Sequence, residues 1–464
     1  MAESEIMLPG AGDTVCAIST PPGVGGIAVA RVSGPQALAI AQAVWRGRRA
    51  IVDTPANTCI VGTVLDSRGD DLDQAVATVF RAPHSFTGED VVEFGVHGSR
   101  YVQHELIMAL VGAGARIALP GEFSRRAFAS GHMDLAQTEA VADLIAADSR
   151  AAQRVALSQM RGHFSRRIEA MRSQLVDLAA LLELELDFSE EDVEFASRER
   201  LSQLAGQVRD TATRLADGFA AGRAIREGIP VAIVGATNAG KSSILNAPTD
   251  DDRAIVSDIH GTTRDVVEDT VSLGDYTLRL RDTAGIRDTA DTIERLGIER
   301  SRDALRGASI VILVIDSAAP LDAVPWDDVA ANPDAAVIVA ANKSDVAPAQ
   351  PSFTQLPGAV VVATSARTGA GIAALREAIT AAADRITRRD SPSDVIVTNA
   401  RHHRALREAA AAAARVVDGL AAGIPGDLVA QDLRACIDAL SAITGAISTP
   451  EILSTIFSRF CIGK

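Results

Sequence analysis

Gly235-Ala236-Thr237-Asn238-Ala239-Gly240-Lys241-Ser242 is the stretch of this chain best suited to chemistry on phosphates. It follows the apolar run Pro230-Val231-Ala232-Ile233-Val234 and precedes Ser243-Ile244-Leu245-Asn246. Strand, glycine-bounded loop and helix start, in that order, are the pattern of a phosphate loop. Its amides and the helix N-terminus face the phosphates. Lys241 neutralises the β- and γ-phosphates, and the Ser242 hydroxyl is a ligand for Mg²⁺. Taken alone, the match is also compatible with a plain glycine-rich turn.

Four later stretches argue against the plain turn. Gly261-Thr262-Thr263-Arg264-Asp265 reads as a switch loop, with Thr263 the second Mg²⁺ ligand. Asp282-Thr283-Ala284-Gly285 ends a predicted strand and can hold Mg²⁺ through water. Asn342-Lys343-Ser344-Asp345 follows the apolar run at 335–341. The Asp345 carboxylate can accept both guanine N1–H and N2–H₂, a donor pair that adenine lacks. Ser365-Ala366-Arg367 can place a backbone N–H on guanine O6. Five motifs in this order, each after a strand, predict a GTP-binding domain resembling the small GTPases. An ATP-dependent metabolic kinase conflicts with Asp345.

The residue after Gly285 is Ile286, where Ras-like enzymes carry a water-orienting Gln. An aliphatic side chain cannot orient water, and no arginine finger is evident from spacing. Arg287 is a candidate for that role, but reads first as a solvated switch-loop charge. Something must still offset the charge that develops between the β- and γ-phosphates. Asn238 supplies a side-chain carbonyl oxygen beside them, which suits a bare monovalent cation.

Around these motifs the composition sets the architecture. A chain of 464 residues holds about three domains. Hydrophobic residues make up 47% and aromatics only 3%, so the cores are aliphatic and Ala-rich, which favours helices. The net charge is -15, which argues against a protein that coats nucleic acid non-specifically and leaves room for one shaped RNA held by a local patch. Cys16, Cys59, Cys436 and Cys461 form no metal-binding spacing, so a reducing, cytoplasmic compartment is expected. No apolar span reaches eighteen residues, so no membrane segment is expected. The ending Cys461-Ile462-Gly463-Lys464 fits a prenylation box poorly.

Residues 1–130 read as mixed α/β, with strands at 15–18, 27–32 and 74–80 and a turn at 21–26. From 131 to 227 the pattern is helical. Met160, Phe164, Ile168, Met171, Leu175, Leu178 and Leu182 predict one stripe of a long helix, and 201–221 predicts another. Residues 228–387 alternate continuous apolar runs with helical pieces, as a doubly wound α/β sheet does. Residues 388–464 return to helix, with Arg401, Arg404 and Arg407 either a solvated face or an RNA contact. The two helical segments are expected to pack as one discontinuous helical domain with the GTPase domain inserted.

Specific strings extend the argument. They are Thr20-Pro21-Pro22-Gly23, Ser85-Phe86-Thr87-Gly88-Glu89-Asp90, Pro120-Gly121-Glu122-Phe123-Ser124, Asp134-Leu135-Ala136-Gln137 and the terminal Phe460-Cys461-Ile462-Gly463-Lys464. With the phosphate loop, they make the chain resemble, over essentially its whole length, the bacterial tRNA-modification GTPase family called MnmE or TrmE.

The resemblance implies an N-terminal folate-binding domain, a constitutive homodimer formed through it, and a Ras-like GTPase domain. It implies a heterotetramer with an FAD-dependent partner of the MnmG (GidA) type. That assembly installs an aminomethyl or carboxymethylaminomethyl group at C5 of wobble uridine 34 in tRNA. The one-carbon donor is 5-formyl- or methylene-tetrahydrofolate. By resemblance its site falls on Arg31, Glu93, His132 and Lys464. The family usually has Lys where His132 stands, and a His is mostly neutral at pH 7. Cys461 matches the family's terminal cysteine, either a participant in the modification chemistry or a small buried hydrophobe.

In the GTPase domain the resemblance puts K⁺ on Asn238 and on the carbonyls of Ser257, Ile259 and Thr262. The nucleotide-binding set then includes Asn238 through Ser243, Ser257, Asp258, Ile259, His260, Gly261, Thr262, Thr263 and Asp282 to Gly285. Glu294 matches the family's catalytic glutamate; without the resemblance it reads as a surface charge on a helix at 292–306. Pro248 and the acidic run Asp250-Asp251-Asp252 depart from the family beside the nucleotide. The rival reading is a regulatory GTPase switch that binds a partner or a ribosomal particle without modification chemistry.

Overall fold

The computed structural model describes residues 12–187, 198–236, 238–245, 269–281, 302, 304–349, 353–387, 395–447, 450–458, 460 and 463. The chain divides into two compact units. One comprises Met1–Ala142, Gln159–Ala180 and Ile437–Lys464; the other comprises Asp143–Ser158 and Leu181–Cys436.

The first unit is built on a seven-stranded sheet of β1 (Val15–Ile18), β2 (Gly25–Ser33), β3 (Trp45–Gly47), β4 (Thr58–Leu65), β5 (Asp71–Phe80), β6 (Val91–Gly98) and β7 (Arg116–Ile117). The spatial order is β3-β4-β5-β6-β2-β1-β7, with β1 and β7 the parallel pair and the other neighbours antiparallel. β2 starts two residues earlier than the turn at 21–26 allows, because Gly25 already pairs with Gly98. Side chains alternate across the sheet. Ala28, Ala30 and Val32 of β2, and Val92, Phe94 and Val96 of β6, therefore join one core beneath the helices Ala37–Ala43 and Arg100–Gly112. The same alternation turns Arg31 and Glu93 to the opposite face.

The long apolar stripe forms a helix, His163–Asp187, with Phe164, Ile168, Met171, Leu175, Leu178 and Leu182 buried along it. Met160 does not belong to it. Met160 ends the preceding helix, Arg150–Met160, and the chain turns at Gly162, whose φ of 75° a helix cannot contain. The helix expected over 201–221 is likewise two, Arg198–Asp217 and Phe219–Glu227, parted at Gly218. In the second unit Arg198–Asp217 lies along Ala400–Ala421. Ala205 and Ala212 on one helix, and Ala409, Ala412 and Ala413 on the other, are buried. Such small side chains let helix axes come close.

The second unit contains a six-stranded sheet of β8 (Ile229–Val234), β9 (Asp269–Leu273), β10 (Tyr276–Arg281), β11 (Ile310–Asp316), β12 (Ala336–Asn342) and β13 (Val360–Ala363). Its order is β13-β12-β11-β8-β10-β9, parallel except for β9. Both faces are covered, which is why the strands read as continuous apolar runs. Ile229, Val231, Ile233, Ile310, Ile312 and Val314 pack with Leu375 and Ile379 of the helix Ile372–Ile386. The intervening Ala232, Val234, Val311, Leu313 and Ile315 pack on the other face with Val329, Phe353 and Leu356.

Candidate functional site

The glycine-bounded loop runs from β8 into the helix Lys241–Leu245, and its two glycines are sterically required. Gly235 has φ 154°, and a Cβ there would lie 2.1 Å from the Val314 carbonyl oxygen. Gly240 has φ 96°, and a Cβ would meet the Asn342 Nδ2 at 2.2 Å. Asn238 adopts φ 65°, a left-handed turn that Asn tolerates better than most residues. The Lys241 ammonium spans the loop, donating to the carbonyls of Gly235 at 2.9 Å and Ala236 at 3.1 Å. Burial depresses its pKa. Ala239 is buried, while the Ser242 and Ser243 side chains are exposed.

Asn342 joins three of the predicted motifs. It ends β12 with 3% exposure. Its Nδ2 donates to the Ala239 carbonyl at 2.9 Å, and its Oδ1 accepts from the Ala366 amide at 3.1 Å. The Ala366 N–H, one candidate donor to guanine O6, is thus engaged inside the protein, as is the Ser365 N–H, which donates to the Ala370 carbonyl at 2.9 Å.

Lys343 has φ 59°, and its ammonium reaches Asp316 at 2.6 Å, which holds that carboxyl below the usual range. Asp345 takes the Ser365 hydroxyl on Oδ1 at 2.6 Å and the Arg367 guanidinium on Oδ2. The Ser365 bond, reinforced by Arg367, outweighs desolvation and keeps the Asp345 carboxyl ionised below its ordinary pKa. Asp345 therefore presents a fixed carboxylate at the surface, one oxygen of which is covered by a side chain 77% exposed.

In the first unit, Arg31 and Glu93 are register partners on β2 and β6 and form an ion pair at 2.7 Å. The Arg31 guanidinium also lies 5.1 Å from the Phe86 ring centroid and 5.4 Å from that of Phe123. Arg31 and Glu93 keep 17% and 27% exposure. His132 is exposed on the turn after the helix Glu122–Ala129, its amide donating to the Ala127 carbonyl at 3.0 Å.

Ser257, Asp258, Ile259, His260, Gly261, Thr262, Thr263, Asp282, Thr283, Ala284, Gly285, Glu294, Cys461 and Lys464 lie outside the described residues, as do Thr237, Pro248 and the acidic run at 250–252.

Comparison with known proteins supplies what geometry alone does not. Residues 14–132 match the family model described as GTP-binding protein TrmE N-terminus, and residues 135–461 match that of the MnmE helical domain. A tRNA modification GTPase MnmE of Parabacteroides distasonis is 48% identical, over 97% of this chain and 100% of its own. The chain belongs to the MnmE family. The MnmE of Bacteroides fragilis is 43% identical over 97% of this chain and 99% of its own. Among solved structures, the G domain of the T. maritima FeoB iron transporter matches 33% of this chain and 98% of its own at 28% identity and a TM-score of 0.25, too low to carry weight.

The MnmE strings acquire a physical meaning in the first unit. Asp134 and Gln137 cap the helix Leu135–Ile145 reciprocally: the Gln137 amide donates to Asp134 Oδ1 at 2.8 Å and the Asp134 amide to Gln137 Oε1 at 3.0 Å. Glu89 and Glu122 enter an ion network with Asp13, Arg116 and Arg126. Glu122 is 1% exposed and meets Arg116 at 2.6 Å and Arg126 at 3.1 Å. Arg126 also reaches Asp13 at 2.6 Å and Glu89 at 3.0 Å. Burial opposes ionisation of Glu122, but the hydrogen bonds from Arg116, the Leu119 amide and Arg126 win and lower its pKa. Sequence reading missed this network; the signal was charge set inside otherwise buried strings.

The terminal string folds back within the same unit. Phe457 and Phe460 pack with Leu135 and Leu453. The Ser19 hydroxyl donates to the Gly463 carbonyl at 3.0 Å. Gly463 has φ 96°, and a Cβ there would sit 2.2 Å from the Ile18 carbonyl oxygen. Gly121, at φ 65°, leaves room for the Phe457 carbonyl in the same way, a Cβ being 2.7 Å from it.

Proposed function

We propose that the protein is a GTP-hydrolysing tRNA-modification enzyme. With an FAD-dependent partner of the MnmG type, it installs the aminomethyl or carboxymethylaminomethyl group at C5 of wobble uridine 34. The carrying observation is Asn342, whose side chain ties the phosphate loop to the Ser365-Ala366-Arg367 loop, on which Ser365 and Arg367 in turn hold Asp345. That arrangement favours a nucleotide bound with its base on the Asp345 side and its phosphates on the Lys241 side. The domain limits that go with this reading are 1–130, 131–227, 228–387 and 388–464, with the GTPase domain inserted into a helical one.

The residues divide the labour. The Asp345 carboxylate accepts the guanine N1–H and N2–H₂. The Lys241 ammonium exchanges its backbone carbonyls for phosphate oxygens. The Ser242 hydroxyl, exposed at the start of its helix, is a hard oxygen donor that fits Mg²⁺, joined by Thr263. Asn238, held in a left-handed turn, offers a carbonyl oxygen that fits K⁺. These cations supply positive charge for the phosphates; Glu294 orients the attacking water through a second one. The half-open Arg31–Glu93 pair, floored by Phe86 and Phe123, fits the flat, hydrogen-bonding head of a tetrahydrofolate, with His132 and Lys464 completing the site and Cys461 near the chemistry. The working state is a cytoplasmic homodimer that joins its flavoprotein partner as a heterotetramer.

Mass spectrometry of wobble uridines from cells lacking the protein tests the conclusion: the C5 group disappears. An unchanged C5 group overturns it. Hydrolysis measured in potassium against sodium at equal ionic strength tests the cation: turnover is faster in potassium, and Asn238→Ala abolishes the difference.

A further inference from the structure

The chain carries a net charge of -15, so its average surface repels RNA. Binding a tRNA then demands a local cationic surface that the protein does not itself neutralise. Arg401, Arg404 and Arg407, the sequence candidates, do not meet that demand: Arg404 pairs with Glu408 at 2.8 Å and Arg407 lies 3.7 Å from Asp217. Some exposed arginines elsewhere are neutralised in the same way. Arg46 pairs with Asp71, Arg302 with Asp328 and Arg415 with Asp432.

The segment Arg161-Gly162-His163-Phe164-Ser165-Arg166-Arg167 lacks such acidic partners and sets its cations on a packed helix start. It holds three arginines in seven residues and no carboxylate. Arg161, Arg166 and Arg167 are all exposed, and none forms an ion pair among the described residues. The Arg166 guanidinium donates to the Arg161 backbone carbonyl at 3.0 Å, which fixes that cation against the turn before the helix. Burial of Phe164 and Ile168 anchors the helix His163–Asp187 from beneath, so the cations stand on a fixed element. Their position works against stability: Arg166 lies in the first turn of that helix, which has no acidic residue, and cations there oppose the helix dipole. Three unneutralised charges in an acidic protein, one of them in the first turn of a helix, call for an external anion.

We propose that Arg161, Arg166 and Arg167 form a docking surface for the tRNA sugar-phosphate backbone. The inference rests on the tRNA-modification reading for the identity of the RNA, and it concerns backbone contact, not base recognition.

The test uses the full-length protein and unmodified tRNA labelled with a fluorophore, titrated at several potassium chloride concentrations. The triple variant Arg161→Gln/Arg166→Gln/Arg167→Gln is expected to lose about tenfold or more in affinity near physiological salt. The slope of log affinity against log salt is expected to flatten by roughly 2 to 3, since each phosphate contact contributes about 0.7–0.9. The corresponding triple Lys variant restores the slope, because charge and not guanidinium geometry is at issue. Arg404→Gln changes nothing, and GTP hydrolysis without RNA stays at the wild-type rate in all variants. Wild-type affinity and slope in the triple Gln variant overturn the proposal. So does a loss of flavoprotein binding with tRNA binding intact, which makes the surface a protein interface. If wobble uridines are unchanged in cells lacking the protein but the salt slope flattens as stated, the modification reading fails and the RNA surface stands.

Discussion

Two charged clusters in this molecule are made of the same residue types and do opposite things. In the first unit, Glu122 and Arg126 are 1% and 7% exposed and locked to Asp13, Glu89 and Arg116. In the second, Asp345 and Lys343 are 15% and 40% exposed, and the partner that covers Asp345 is 77% exposed. A buried charge with several fixed partners cannot exchange them for a ligand without leaving another charge desolvated. A charge at the rim, whose charged partner swings in solvent, exchanges that partner at little cost. Pairing alone therefore does not separate architecture from function; the exposure of the partner does.

The strongest way to break this comparison is Arg126→Ala. It leaves Asp13, Glu89 and Glu122 facing one another, so stability should fall by about 3–5 kcal/mol, the range for removing one partner of a buried pair. Urea unfolding followed by circular dichroism measures it; a shift under about 1 kcal/mol would show the network to be loosely held.

Asp345→Asn should do the reverse. It replaces an acceptor facing guanine N–H with a donor, so GTP affinity falls roughly tenfold or more while the unfolding curve stays put. Equal binding of ATP and GTP by the wild type would remove Asp345 from base recognition.

Arg367→Ala sharpens the contrast from the other side. Freed of its cover, Asp345 Oδ2 is open to guanine, and GTP affinity should rise by a few-fold, the scale of an exposed ion pair. Calorimetric titration decides; a fall instead would mean that Arg367 holds the base and not the carboxylate.

Acid provides a milder probe. The folded-state pKa values of Asp13 and Glu122 are lowered, so the unfolded chain binds more protons as pH falls. The stability they contribute is complete above the ordinary carboxylate range of about 4 and is lost as pH falls through the depressed values. Thermal melts between pH 6 and pH 3 should show the first unit's transition dropping, and Arg126→Ala should blunt that dependence.

Legibility in the sequence followed the same divide. The nucleotide loops could be read because their geometry forces residue types at fixed spacing: Gly235 and Gly240 where a Cβ has no room, and Asn342 at the end of a buried strand. The parallel sheet was legible from runs that bury both faces. The ion network was not, because Asp13 and Arg126 lie 113 residues apart and nothing local announces a partner. Met160 was assigned to the wrong helix because periodicity carries across Gly162, while a φ of 75° does not. The unpaired state of Arg161, Arg166 and Arg167 is a property of what surrounds them, which spacing does not record.

The contact between Ser19 and Gly463 spans 444 residues. A ribosome adding about 5–20 residues per second makes Ser19 within the first few seconds and needs roughly 20 to 90 seconds more to reach Gly463. The sheet carrying β1 and β2 can close long before that, but the strand end at Ile18–Ser19 stays without this strap until Gly463 has been made. A chain that stops before Gly463 forfeits the strap while keeping nearly all of its core. Gly463 thus acts as a late check on synthesis: only a chain made that far has the strand end at Ile18–Ser19 strapped.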